Sequence, residues 1–152
     1  MKEVDYMRLW HYELLPYLPD AQFKGQLREL VAIMHDWRDK GSTNHLLINK
    51  VMEYEKNELV RYYIYYETCY HERYGKWLDT KYWGEFKEFQ ESQPNKKKNY
   101  SKDWHNKEYL RVCMANLYEK HVFGVGKSRI TDEEWAVLLK GYKQITGEQY
   151  EI

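Results

Sequence analysis

Cysteine is nearly absent from this chain: there are two, Cys69 and Cys113, and they form no CxxC pair. A disulfide framework is not indicated, and both read as reduced, buried thiols of a cytoplasmic protein. Proline and glycine are also scarce, at 3 and 8 residues, which suits long helices better than a turn-rich β sandwich. No apolar run reaches membrane-spanning length, and no signal-peptide pattern opens the chain. The expectation is a soluble intracellular protein with no membrane partner. An excess of one charge is missing too, since 24 Lys and Arg balance 24 Asp and Glu. No global field then attracts a polyanion, and a DNA partner would need local clustering of cations.

What is present fits one domain of 152 residues with a real core. Charged residues reach 32% and aromatics 17%, including 16 Tyr and 6 Trp, a globular rather than disordered composition. The aromatic surplus fits core and half-buried surface, because Tyr brings its own polar handle. It would equally supply stacking platforms for nucleic acid.

Periodicity favours helices throughout. From Asp20 to Gly41, Phe23, Leu27, Leu30, Val31, Met34 and Trp37 recur at helical spacing, with Asp20 placed to cap and Gly41 to stop. The pair Arg28-Glu29 sits on the flank of this helix, where adjacent opposite charges are ordinary surface decoration worth little. Gly25, one turn before Glu29, leaves room for another backbone, including the N-terminal arm, to approach closely. That arm, residues 1–19, reads as irregular because Pro16 and Pro19 discourage a helix running into them. A short helix is expected across HLLINKVMEY, and longer ones across Lys56 to Tyr74 and Thr80 to Ser92. Gly75 offers a C-cap between the last two. Asn106 to His121 returns to helix through Tyr109, Val112, Cys113, Asn116 and Leu117. FGVGKSR is a glycine-containing turn, and Thr131-Asp132-Glu133-Glu134 is a capping box that opens a last helix. No alternating pattern supports a sheet. The prediction is an all-α, compact single-domain helical bundle over residues 1–152 with an irregular N-terminal arm.

The familiar catalytic motifs are missing. Six histidines are scattered, and His71-Glu72 lacks the second His of a zinc-binding helix. No metal is expected. The glycines of FGVGKSR follow no strand and do not have Walker spacing. Cys113, among apolar neighbours, reads as core. The basic segment is more informative: Lys96, Lys97, Lys98, Lys102, Lys107 and Arg111 face only Asp103 and Glu108, with Tyr100 and Trp104 interleaved. That mix suits a surface tracking a nucleic-acid backbone. A solvated loop would have the same composition.

A resemblance sharpens this. Met7-Arg8-Leu9-Trp10-His11, Leu14, Pro16, Leu18, Pro19, Gln22, Arg28-Glu29 and Asn44-His45-Leu46-Leu47-Ile48-Asn49-Lys50 resemble the pyrimidine-dimer DNA glycosylases of the phage endonuclease V type. The similarity is to the branch whose members begin MRLWH. Trp104-His105-Asn106, Asn116-Leu117 and Glu119-Lys120 resemble that branch as well. The resemblance implies a mainly helical, monomeric, cytoplasmic protein that acts on double-stranded DNA without a cofactor. It implies that the terminal amine attacks C1′ of the damaged nucleotide, displaces the base and leaves an imine, after which β-elimination nicks the strand. A terminal amine suits this task because its pKa near about 7.7 leaves a neutral fraction at neutral pH. Met7, Arg8 and Glu29 are the implied catalytic residues, with Glu29 assisting proton transfer. Arg28, His45 and Lys120 are the implied DNA contacts, joined by Lys96, Lys97 and Lys98 of the basic segment. Asn116 stands where the phage enzyme has an arginine. Residues 1–6 would be an extension before the family's start at Met7. Two other functions fit the same residues: a non-catalytic DNA-binding protein of this fold, and a helical interaction module with a tyrosine-rich partner surface.

Overall fold

The computed structural model describes residues 9–40, 56–92 and 106–152. Among these the chain is helical and contains no strand. Five α-helices follow a 3-10 segment, Tyr12–Tyr17: α1 (Asp20–Lys40), α2 (Lys56–Tyr74), α3 (Thr80–Ser92), α4 (Lys107–Phe123) and α5 (Asp132–Thr146). A second 3-10 turn, Gly126–Ser128, joins the last two. The all-α expectation holds. The expected helix at HLLINKVMEY and the stop at Gly41 lie outside the described residues.

Boundaries fall where local chemistry puts them. Gly75 adopts φ 73° and donates its N–H to the His71 carbonyl at 2.8 Å, the left-handed cap that a glycine provides without a Cβ penalty. Thr131 and Glu134 exchange side-chain-to-backbone bonds in a complete capping box. The start of α1 differs from expectation. Pro19 supplies the first carbonyl, to Phe23 N–H at 2.8 Å, and Asp20 is the first helical residue. Its carboxylate accepts from Tyr74 Oη at 2.8 Å and from Arg73 Nη1 at 3.3 Å instead, pinning α1 to the end of α2. From Leu9 onward the arm is more regular than expected. Pro16 fits inside the 3-10 segment, and His11, the residue before it, caps it by accepting the Glu13 N–H on Nδ1 at 3.2 Å.

The core is aromatic. Phe23 of α1 stacks on Tyr66 of α2 with ring centres 4.6 Å apart, and Tyr63 stacks on Phe86 of α3 at 4.4 Å. Trp37 and Phe89 close the far end edge to face. Burying each such ring contributes about 2–3 kcal/mol. The hydroxyl of Tyr66 is satisfied by the Phe23 carbonyl at 2.8 Å, so the tyrosines serve as core residues with a built-in donor. Tyr62, Tyr63, Tyr66 and Tyr142 are all buried and offer nothing to a partner protein. Helix α5 packs on the first 3-10 segment and on α4, while α1 packs on α2, α3 and the second 3-10 turn. In α4 the buried face is Leu110, Cys113, Met114 and Leu117, a shift from the predicted one: Val112 is exposed, and Asn116 bonds back to the Val112 carbonyl.

Burial sets an alkaline limit on stability. Desolvation, ahead of the neighbouring carboxylates and phenols, raises the phenol pKa of Tyr62, Tyr63, Tyr65 and Tyr66, and that of Tyr74 to about 12. An unfolded chain ionises these groups near about pH 10. The stability they represent is therefore complete below about pH 10 and is lost as pH rises toward the folded values. The absorbance change of the buried phenols and the loss of helical circular dichroism are expected to coincide in one cooperative step above about pH 11. A titration of every tyrosine near pH 10 with helicity intact would contradict this core.

Candidate active site

The first described residues, Leu9 to His11, thread between α1, α2 and α4 and are held at each step. Tyr109 Oη of α4 donates to the Leu9 carbonyl. Trp10 N–H donates to Gln26 Oε1 of α1 at 2.8 Å. The Trp10 carbonyl accepts from Tyr62 Oη of α2 at 2.6 Å, and His11 N–H points at Cys113 Sγ at 3.3 Å. Leu9, Trp10 and His11 are each buried to 95% or more, with 1%, 4% and 1% of their surface exposed. Cys113 is buried and in no disulfide, as expected, and it also receives a backbone donor.

Gln26 is the centre of this arrangement. It is fully buried on the apolar face of α1, where an unpaired amide would cost about 1–3 kcal/mol. Its Oε1 must be the atom facing Trp10 N–H, because that partner can only donate. The amide orientation so fixed turns Nε2 toward Glu29, whose Oε2 accepts at 3.2 Å. Tyr62 Oη lies 3.1 Å from Gln26 Oε1 as well. Burial, and after it the proximity of Tyr109, Cys113 and Glu29, pushes the Tyr62 pKa well above its ordinary value, so this phenol stays a donor. One buried amide therefore joins the arm to the acid that follows it by one turn of α1.

Glu29 is half-buried and Arg28 exposed, and both line an open cleft of about 560 Å³ between α1 and the C-terminal half of α4. Lys120 and Asn116 line it from α4, and Trp10 from the arm. The cleft thus gathers Arg28, Glu29 and Lys120 of the expected site residues. Met7, Arg8, His45, Lys96, Lys97 and Lys98 lie outside the described residues. Gly25 also lines it, but in place of a second backbone, a Cβ there would meet the Arg28 guanidinium at 3.6 Å. The rim turns at Gly124, where a Cβ would sit 2.2 Å from the Lys120 carbonyl oxygen, closer than any side chain tolerates. That carbonyl accepts from both Gly124 and Ile130 N–H, which closes the end of α4 tightly against the cleft. Gln22 of α1, buried in the wall, donates Nε2 to the Ser128 carbonyl at 3.0 Å and ties in the second 3-10 turn.

Sequence reading did not place Gln26, Tyr62 or Gly124 in a site, and it noted Gln22 only as part of the family resemblance. The available signal was the pair of glutamines in the apolar register of α1, at positions a helical core normally fills with aliphatic side chains. Among the described residues no group of three His, Cys, Asp or Glu could hold a metal ion, and no helix is long and apolar enough to cross a membrane.

Fold and cleft together define an all-helical domain whose N-terminal segment enters a site furnished with two acids, Glu29 and Glu119, and two cations, Arg28 and Lys120. Residues 7–74 match the family model described as pyrimidine dimer DNA glycosylase, and the family recognised in MRLWH and Arg28-Glu29 is supported over that stretch. The family's function is of DNA glycosylase type, with DNA as its substrate. No match was found among curated proteins or solved structures. The family match begins at the arm and ends with α2, so it covers Arg28 and Glu29 and leaves the α4 wall to geometry.

Proposed function

We propose that this protein is a DNA glycosylase/AP-lyase whose nucleophile is an amine at Met7 and whose acid–base residue is Glu29. The observation that carries this reading is the bridge through Gln26, which binds the arm at Trp10 on one side and Glu29 on the other. Met7 is two residues before Leu9, so its amine stays within about 9 Å of the Leu9 Cα even at full extension. The family match that begins at residue 7 is consistent with that start.

The neutral amine attacks C1′, a C1′–N bond forms, and the glycosidic bond breaks with the base as leaving group. Glu29 takes up the proton released by the amine and faces the positive charge that develops at the sugar. The sugar ring opens to an imine, a proton leaves C2′, and the C3′–O bond breaks, which nicks the strand. Arg28 and Lys120, from opposite walls, hold the phosphates that flank the sugar. Arg8 would lie beside the amine, and His45 with Lys96, Lys97 and Lys98 would extend the phosphate contacts.

Borohydride trapping on duplex DNA with an abasic site tests this. A chain beginning at Met7 is expected to form a covalent adduct, and one carrying Met1–Tyr6 to form far less. Absence of an adduct from the Met7 form overturns the reading. Salt-sensitive DNA binding without an adduct would mark the non-catalytic alternative.

A further inference from the structure

Two of the most exposed apolar side chains among the described residues stand at the mouth of the cleft. Phe123, the last residue of α4, is 77% exposed and Val125 is 80% exposed, and both line the same cavity as Glu29 and Lys120. A single exposed apolar side chain is ordinary, but two neighbouring ones at the mouth of a cleft with a polar rim mark an interaction surface. Its surroundings narrow what the partner is. From Glu119 to Ile130 the sequence EKHVFGVGKSRI sets Lys120, Lys127 and Arg129 against one acid, Glu119, which also lines the cleft, so the apolar pair stands in a net-cationic stretch and suits a polyanion with an apolar interior. Stacked bases between phosphates have that character. The position is also fixed: Gly124 lies between the two side chains, with no room for a Cβ against the Lys120 carbonyl and the Arg129 Cα. Ser128 is tied to Gln22 of α1.

We propose that Phe123 and Val125 form a wedge that enters the base stack beside the damaged nucleotide and holds it open while the sugar sits at Glu29. The proposal rests on the DNA reading above and adds to it the residues that distinguish a duplex from a single strand. An apolar side chain inserted at a base step unstacks and kinks a duplex, which brings C1′ within reach of a group that cannot enter an intact helix. On single-stranded DNA there is no stack of this kind to break, so the wedge contributes little there.

The experiment compares the full chain starting at Met7 with Phe123→Ala, Val125→Ala and the double variant, all at exposed positions. Adduct formation is measured on an abasic site in single-stranded and in duplex DNA, with 2-aminopurine as the neighbouring base. The double variant is expected to lose roughly tenfold or more on the duplex, the scale of one lost base–aromatic contact, while the single-stranded reaction keeps most of its rate. The rise in 2-aminopurine fluorescence seen with the parent disappears, and Phe123→Trp restores it. Equal losses on both substrates, an unchanged duplex rate, or an undiminished fluorescence rise in the double variant overturns the wedge. If the parent forms no adduct, the catalytic reading fails by itself, and the fluorescence change still decides the wedge. A parent dimer that Phe123→Ala dissociates would assign the patch to self-association and overturn the proposal as well.

Discussion

Glu29→Gln is expected to lower the rate of adduct formation and strand cleavage by about 10²–10⁴-fold, the range for loss of a positioned general acid–base group. The substitution is nearly isosteric and a glutamine Oε1 still accepts from Gln26, so the helix and the arm should remain in place. Thermal melting is expected to stay within a few degrees of the parent. Binding to abasic duplex should persist, because phosphate contacts come from Arg28 and Lys120 rather than from Glu29. This division is what a single-turnover trapping assay combined with a binding titration reads. A variant that binds and reacts like the parent would remove Glu29 from the chemistry. One that loses binding and rate together would make it a structural residue of the cleft.

The second large effect belongs to Gln26. In Gln26→Leu the Trp10 N–H loses its acceptor inside the core, at a cost of about 1–3 kcal/mol, and the Glu29 carboxylate loses the donor that orients it. Both the urea midpoint and the trapping rate are expected to fall. Stability loss alone could produce a slow enzyme, so Gln26→Glu provides the separation. It keeps an acceptor for Trp10 N–H and Tyr62 Oη but sets a second carboxylate against Glu29, and like charges at that distance disfavour a shared site. Its rate is expected to fall further than its stability predicts, and the deficit relative to the parent at the same pH to shrink as pH drops and one carboxyl takes up a proton. A rate that simply follows the folded fraction in both variants would reduce Gln26 to packing.

Much of the fold could be read locally, and the reason lies in where the information sits. The span Lys56–Tyr74 follows from tyrosines and leucines at a 3.6 period, and the start of α5 follows from Thr131 and Glu134 three residues apart. Both are determined by neighbours in the chain. The buried face of α4 was misjudged because Val112 and Leu110 are equally apolar, and only packing against α5 and the arm decides which turns inward. Arg28-Glu29 was visible through family likeness, yet its ordinary appearance on a charged helix flank gave no physical sign of the cleft. Gln26 was missed for a stronger reason. It is polar at a core position, so periodicity treats it as an interruption, and its partners Trp10 and Tyr62 are 16 and 36 residues away. The 3-10 segment with Pro16 inside depends on the His11 side chain accepting the Glu13 N–H, a contact that proline statistics do not contain.

The way the arm is secured has a consequence of its own. Tyr109, Gln26, Tyr62 and Cys113 reach backbone atoms: the carbonyls of Leu9 and Trp10, which every residue has, and the N–H groups of Trp10 and His11, which only proline would lack. The domain grips this segment as a receptor grips a peptide ligand, by its backbone as well as by its buried side chains, so the grip is sensitive to register. Replacing a residue in the segment by anything but proline leaves all four backbone holds available. Inserting or deleting one displaces every hold that precedes it and moves the start of the chain by a full residue relative to Glu29. Spacing, more than spelling, is what this end of the molecule has to preserve.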